Sequence, residues 1–277
     1  MNNRHSTLEN LEEAGYFIHE REQLYYVLHP TNTAVKARVL LAGPFASERS
    51  QSYIPWVRWA RHLACNGYEV LRIDYRGVGE STGHFEEYGF NAWEGDLIFC
   101  ANWLMQRSPA APLVIHGLGM GGLLAEQLFR KNIGDIMLLW LTPKNAREMM
   151  YEQLKIKLSN NFSLPASERK CRDDYISELE NGQVVEVEGN NWTPRLWTEA
   201  ADYFLADESS SVLRQDNGRR LRYIEDLGPL ESHIFGGIGL NPLRLQGRVR
   251  LLNPDLRQRY EMTVAWLNSA LQEIRAK

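Results

Sequence analysis

Residues 113–122, Leu-Val-Ile-His-Gly-Leu-Gly-Met-Gly-Gly, join an apolar run of β-formers to a glycine cluster, and Leu123-Leu-Ala-Glu126 follows with helix-forming residues. The order predicts a buried strand, a sharp turn and a helix. A G-x-S-x-G elbow has this shape: the turn lifts a serine hydroxyl above the sheet, and the N–H of the next residue faces the oxyanion of an acyl-transfer reaction. Here Gly119 stands at the tip and Met120 follows it. Glycine carries no atom that can attack a carbonyl, so the stretch predicts the frame of nucleophilic catalysis without its reagent.

Gly117, Gly119 and Gly122 also satisfy G-x-G-x-x-G, the dinucleotide-binding fingerprint. That motif belongs on a first βαβ unit and needs an acidic residue about 20 residues on, at the end of the next strand, to hold the ribose. Asp135 falls near that distance but precedes the apolar run Ile136–Leu141. Nicotinamide or flavin binding therefore lacks its context, and no cofactor is expected.

Strands and helices alternate around the elbow. Tyr16–Glu20, Gln23–His29 and Ala37–Leu41 cluster β-formers, with a turn at Pro30–Thr33. Ile54, Val57, Ala60, Leu63 and Ala64 share one helical face, closed by Asn66-Gly67, and a strand at Glu69–Asp74 follows. A helix over Asn91–Gln106, the strand Leu113–His116, the helix Gly121–Arg130 and the strand Ile136–Leu141 continue the series. Such alternation predicts an α/β fold, a mostly parallel central sheet with helices on both faces. The helical, mixed-charge segment from residue 143 to 206 interrupts it, with one β-like stretch at Val184–Val187. A last strand, Val249–Leu252, and a helix over Gln258–Ile274 complete the chain. The expected division is a core of residues 1–142 and 207–277 and a cap insertion of residues 143–206.

The segment Val70-Leu-Arg-Ile-Asp-Tyr-Arg-Gly-Val-Gly-Glu-Ser-Thr-Gly83 resembles the fourth strand and following loop of α/β-hydrolases of the serine-aminopeptidase-like group. Three further segments narrow the resemblance to bacterial exosortase-system-associated hydrolases, found with exopolysaccharide and protein-sorting loci. They are Gly43-Pro-Phe-Ala-Ser-Glu-Arg-Ser50, Gly83-His-Phe-Glu-Glu87 with Trp93 and Asp96, and the stretch from Leu179 to Gly189. The resemblance spans roughly Val39 to Leu205. It implies an α/β-hydrolase fold with a helical cap, and ester or acyl chemistry.

Each catalytic part has a place where it should fall. Met120 can supply one oxyanion N–H. On the loop after the third strand Pro44 has none, which leaves Phe45 or Ala46. The triad acid and histidine should follow the elbow in chain order, yet His233 is the one histidine beyond it, and the loop after the last strand holds Asn253. Asp202, Asp207, Asp216, Asp226 and Asp255 are acids by position, with no histidine to orient. Ser81 and His84 form a hydroxyl–imidazole pair on the loop after the fourth strand, while Asp74 and Arg76 read as organisers of that loop and His116 as a packing residue under the turn. The residues thus leave three functions open: a degenerate hydrolase kept for binding or assembly, an acyl hydrolase or transferase with a displaced nucleophile, Ser81 or a cap hydroxyl, served by His233, and the dinucleotide-binding reading of the glycine motif.

Composition narrows the class further. The 277 residues are 44% hydrophobic, enough for a sizeable core, and a net charge of −4 with short basic runs gives no electrostatic case for nucleic acid. Three separated cysteines, Cys65, Cys100 and Cys171, suit a reducing compartment. No apolar run nears the ~18 residues of a membrane span, so a cytoplasmic protein is expected. The seven histidines show no H-x-x-x-H spacing, and no metal is expected. The helix N-terminus at the elbow would favour a negatively charged group. A small acyl, carboxylate or phosphate ligand, or a protein partner, is the expected occupant.

Overall fold

The computed structural model describes residues 12–161, 165, 167, 169–205, 212–214, 221–225 and 254–276. Ten strands are present among them: β1 Glu13–His19, β2 Glu22–His29, β3 Ala37–Ala42, β4 Tyr68–Ile73, β5 Leu113–Leu118, β6 Ile136–Trp140, β7 Val185–Val187, β8 Asn190–Trp192, β9 Val212–Arg214 and β10 Leu221–Glu225. Seven α-helices accompany them: α1 Ala46–Cys65, α2 Phe90–Arg107, α3 Met120–Arg130, α4 Ala146–Asn161, α5 Arg172–Glu180, α6 Pro194–Glu199 and α7 Pro254–Arg275.

Eight strands form one sheet in the order β1-β2-β4-β3-β5-β6-β10-β9. From β4 to β10 neighbouring strands run parallel, whereas β1, β2 and β9 lie antiparallel at the two edges. The central strands are buried along their length because helices cover both faces. Side chains alternate between two cores with the strand period of two. Leu40, Leu113, Ile115, Met137 and Leu139 join α2 and α3 on one face. Val39, Leu41, Val114, Leu138 and Trp140 join α1 and α7 on the other. The doubly covered parallel sheet is therefore as the alternation predicts.

Element ends differ where backbone geometry escapes the residue pattern. The first strand begins at Glu13 and stops before Glu20, which turns the hairpin with φ 55°. Likewise β6 ends at Trp140, and Leu141 leaves the sheet with φ 51°. The largest difference is at α1, which starts at Ala46 rather than Ile54 and carries Pro55 inside it. A proline within an apolar repeat reads as a breaker, and it hid the first two turns of this helix.

Between β6 and β9 lie α4, α5, the β7–β8 hairpin and α6. This segment is fastened to the core by specific bonds. Glu199 Oε2 accepts the Asn91 backbone N–H at 3.0 Å, in the first turn of α2 where helix donors lack internal partners. Tyr203 Oη donates to Glu94 Oε2 at 2.8 Å, and Glu94 also pairs with Lys131. Gln127 of α3 donates to the Asp202 carbonyl at 3.0 Å. Tyr203, Trp192 and Leu196 extend the α2–α3 core without a break.

Candidate active-site elbow

Strand β5 runs into α3 through Gly119, whose φ of 55° and ψ of −132° fall outside the comfortable regions for a residue with a Cβ. The flanking glycines are required by close packing. A Cβ on Gly117 would run into Gly122, one on Gly121 into the Ala42 and Gly43 carbonyls, and one on Gly122 into Thr142. The Gly119 N–H donates to the Trp140 carbonyl and its carbonyl accepts the Gly122 N–H, both at 2.9 Å. The chain thus builds the elbow as the sequence predicts, and Gly119 is at its tip.

The space beside that tip holds a side chain that the sequence reading passed over. Glu48, in the first turn of α1, reaches across to the elbow, and its Oε2 accepts the Met120 N–H at 3.1 Å. The same oxygen lies 2.7 Å from the point a Cβ on Gly119 would occupy. Burial pushes the Glu48 carboxyl up to about 7, against the Met120 N–H, which favours the carboxylate. The expected donor Met120 is thus present, but its N–H is already engaged by the chain's own carboxylate.

Loops after β3 and β4 place Glu48. Tyr75 Oη donates to the Gly43 carbonyl at 2.9 Å, fixing the exit from β3. Arg49, next to Glu48, donates to both oxygens of Asp74 at 2.9 and 2.8 Å, and Asp74 Oδ2 also accepts the Glu80 N–H at 3.0 Å. Arg76 binds the fully buried Asp96 through Nε at 2.8 Å and its backbone N–H at 3.0 Å. Asp74 and Arg76 therefore organise these loops. Phe45 is the residue before α1, and its ring packs edge-on against Tyr75 and Phe90. Ala46, the other oxyanion candidate, takes φ 52° as the chain enters the helix.

The remaining described candidates are engaged in other contacts. Ser81 Oγ donates to the Asp74 carbonyl and accepts the Tyr25 N–H at 2.8 Å, so its hydroxyl ties the loop to β2. His84 stands before the short 3-10 turn Phe85–Glu87, its backbone N–H donating to Glu87 Oε2 at 2.8 Å. His116 is completely buried with Nδ1 on the Leu138 carbonyl at 3.0 Å, and burial drives its pKa down to about 3. A ring held neutral that far below 7 is packing, set edge-on to Trp56, Trp59 and Trp140. Those three tryptophans are themselves buried. Asp202 contributes its carbonyl to Gln127. His233, Asn253, Asp207, Asp216, Asp226 and the strand at Val249–Leu252 lie outside the described residues, as does the Asp255 side chain.

Among the described residues no group of three or more His, Cys, Asp or Glu side chains could hold a metal, and no helix is long and apolar enough to cross a membrane. The three cysteines are unpaired.

The strand order, with an antiparallel β2, a glycine-rich elbow after β5 and a helical insertion after β6, defines a protein of the α/β-hydrolase fold. Residues 34–143, which carry the elbow, match the family described as serine aminopeptidase, S33. A 69-residue stretch is 38% identical to the lysophosphatidylserine lipase ABHD12 of Danio rerio, over 25% of this chain and 17% of that relative's length. Among solved structures, a putative hydrolase from Agrobacterium vitis S4 is 18% identical over 70% of this chain and 72% of its own, with a TM-score of 0.47. A soluble variant of monoglyceride lipase from Saccharomyces cerevisiae, in complex with a substrate analogue, is 22% identical over 59% and 56%, with a TM-score of 0.45.

Proposed function

We propose that this chain is a degenerate hydrolase: a binding or assembly protein on an α/β-hydrolase frame that forms no acyl-enzyme. One observation carries the proposal. The carboxylate of Glu48 lies against Gly119 and takes the Met120 N–H, where a working elbow needs a hydroxyl and a free oxyanion donor. Where Glu48 is ionised, its charge opposes the developing oxyanion of ester hydrolysis. In this reading residues 143–206 serve as a cap, and its described part is fastened to α2 through Glu199 and Tyr203. The segments resembling exosortase-system-associated hydrolases support a role in bacterial exopolysaccharide or protein-sorting systems, in the cytoplasm.

The test is turnover and labelling. Purified protein is expected to hydrolyse p-nitrophenyl butyrate no faster than buffer and to resist a fluorophosphonate probe. Stoichiometric labelling of any serine overturns the proposal and favours the displaced-nucleophile enzyme.

A further inference from the structure

Glu48 reverses the polarity that a ligand meets at the elbow. In a serine-bearing elbow the first helix N–H faces a developing negative charge. In this protein the Met120 N–H is already bonded to Glu48 Oε2, and a second anion would meet the carboxylate at close range. The other oxygen, Oε1, lies 3.3 Å from the point a Gly119 Cβ would fill and takes no hydrogen bond from a described residue. The carboxylate is thus anchored by one oxygen and presents the other at the tip of the turn.

Among the described residues no ion pair to Glu48 is formed. Arg49 on the same helical turn is taken by both oxygens of Asp74. Tyr75 on the β4 loop gives its hydroxyl to the Gly43 carbonyl and is kept neutral by burial. His116 beneath the turn is neutral as well. The raised Glu48 pKa has burial as its cause, with the Met120 N–H as the opposing influence, so no described cation holds the carboxyl down.

We propose that the elbow is a recognition site for a primary ammonium group, which donates to Glu48 Oε1. The site then takes a cation in place of the carboxylate or phosphate that the bare helix terminus would suggest. An ammonium is preferred to a neutral hydroxyl because a hydrogen bond between two charged groups is about twice as strong as a neutral one. This assignment rests on the non-hydrolytic function proposed above and names the ligand class of the same site.

The test follows the Met120 amide resonance of the full-length, nitrogen-15-labelled protein during titration with n-butylammonium or n-butyrate. Butylammonium is expected to shift that resonance saturably. Its affinity at pH 8 should exceed that at pH 6 by about tenfold, since a carboxyl titrating near 7 is mostly ionised at the first pH and mostly protonated at the second, while the amine stays charged at both. Glu48→Gln should remove both the binding and its pH dependence. A capped lysine in place of butylammonium separates the sources: tighter binding of the lysine assigns the site to a protein side chain, weaker binding to a free amine. Saturable butyrate binding without butylammonium binding, or ammonium affinity that ignores pH, overturns the proposal. The wild-type pH pair decides this even if Glu48→Gln fails to fold. Absent ammonium binding together with absent ester turnover removes the ligand class and leaves the non-hydrolytic function standing, whereas serine labelling removes that function itself.

Discussion

Restoring the serine, Gly119→Ser, is expected to damage the protein rather than revive it. Two effects add. The tip has φ 55° and ψ −132°, and a sparsely populated backbone conformation costs a residue with a Cβ on the order of 1–3 kcal/mol. The new Cβ would also stand 2.7 Å from Glu48 Oε2. Glu48 has to swing away, which breaks its bond to the Met120 N–H; a hydrogen bond to a charged group contributes about 1.5–3 kcal/mol, less where water reaches it. The expected loss is about 2–5 kcal/mol, which in a chain of this size lowers the melting temperature by roughly 5–15 °C. Chemical denaturation and thermal melting of Gly119→Ser, Glu48→Ala and the double variant apportion the two effects. With Glu48 truncated, only the backbone strain remains, so the pair should show a coupling of about 1–2 kcal/mol. Ester turnover should stay at background, because no described imidazole stands ready to activate the hydroxyl. A single variant as stable as the parent, or one that hydrolyses esters well above background, refutes the claim that Glu48 fills the elbow.

Glu48 has a folded pKa of about 7 against an ordinary value of 4.5, so between those values the folded chain holds a proton that the unfolded chain has released. Its contribution is therefore most favourable below about 4.5 and declines as pH rises toward 7, with no further change above. Glu48→Gln should abolish that slope, and denaturant melts from pH 4.5 to 8 should show the variant gaining on the parent up to 7 and running parallel beyond it. Glu199→Gln should weaken the cap on the α2 N-terminus by about 1 kcal/mol and speed proteolytic cleavage within residues 146–205; an unchanged digestion rate counts against that bond as a fastener. Gly121→Ala, whose Cβ would strike the Ala42 and Gly43 carbonyls, should cost more than about 3 kcal/mol. Gly95→Ala in α2, with nothing within 4 Å of the added carbon, should stabilise by about 0.5–1 kcal/mol. Comparable melting temperatures for these two alanine variants would contradict the packing described at the elbow.

What the sequence made legible was local. The run from Leu113 to Gly122 announces strand, turn and helix because β-formers, glycines and helix formers follow one another within ten residues. The alternation of such units fixes a parallel sheet because a parallel crossover needs a helix to return the chain. Glu48 was not legible. It lies 71 residues before Gly119, in a helix whose start is masked by Pro55. Only the meeting of α1's first turn with the elbow, arranged by Arg49 and Asp74, gives that glutamate a role. Glu199 is similar, an acid in a charged helix that becomes specific on reaching the end of α2. Positive φ at Glu20 and Leu141 was equally hidden, since neither residue type advertises a turn.

The contact between Gly117 and Gly122 separates the shape of the elbow from its reactivity. These two glycines, with Gly121 against the β3 carbonyls, let α3 lie close enough to the sheet to seal the core. That requirement is the same whether the tip carries serine, glycine or anything else. The familiar string of glycines is therefore a record of interatomic spacing, and selection for a tightly seated helix can maintain it long after any reaction has ceased. A chain can be searched out by this string and still owe nothing to catalysis.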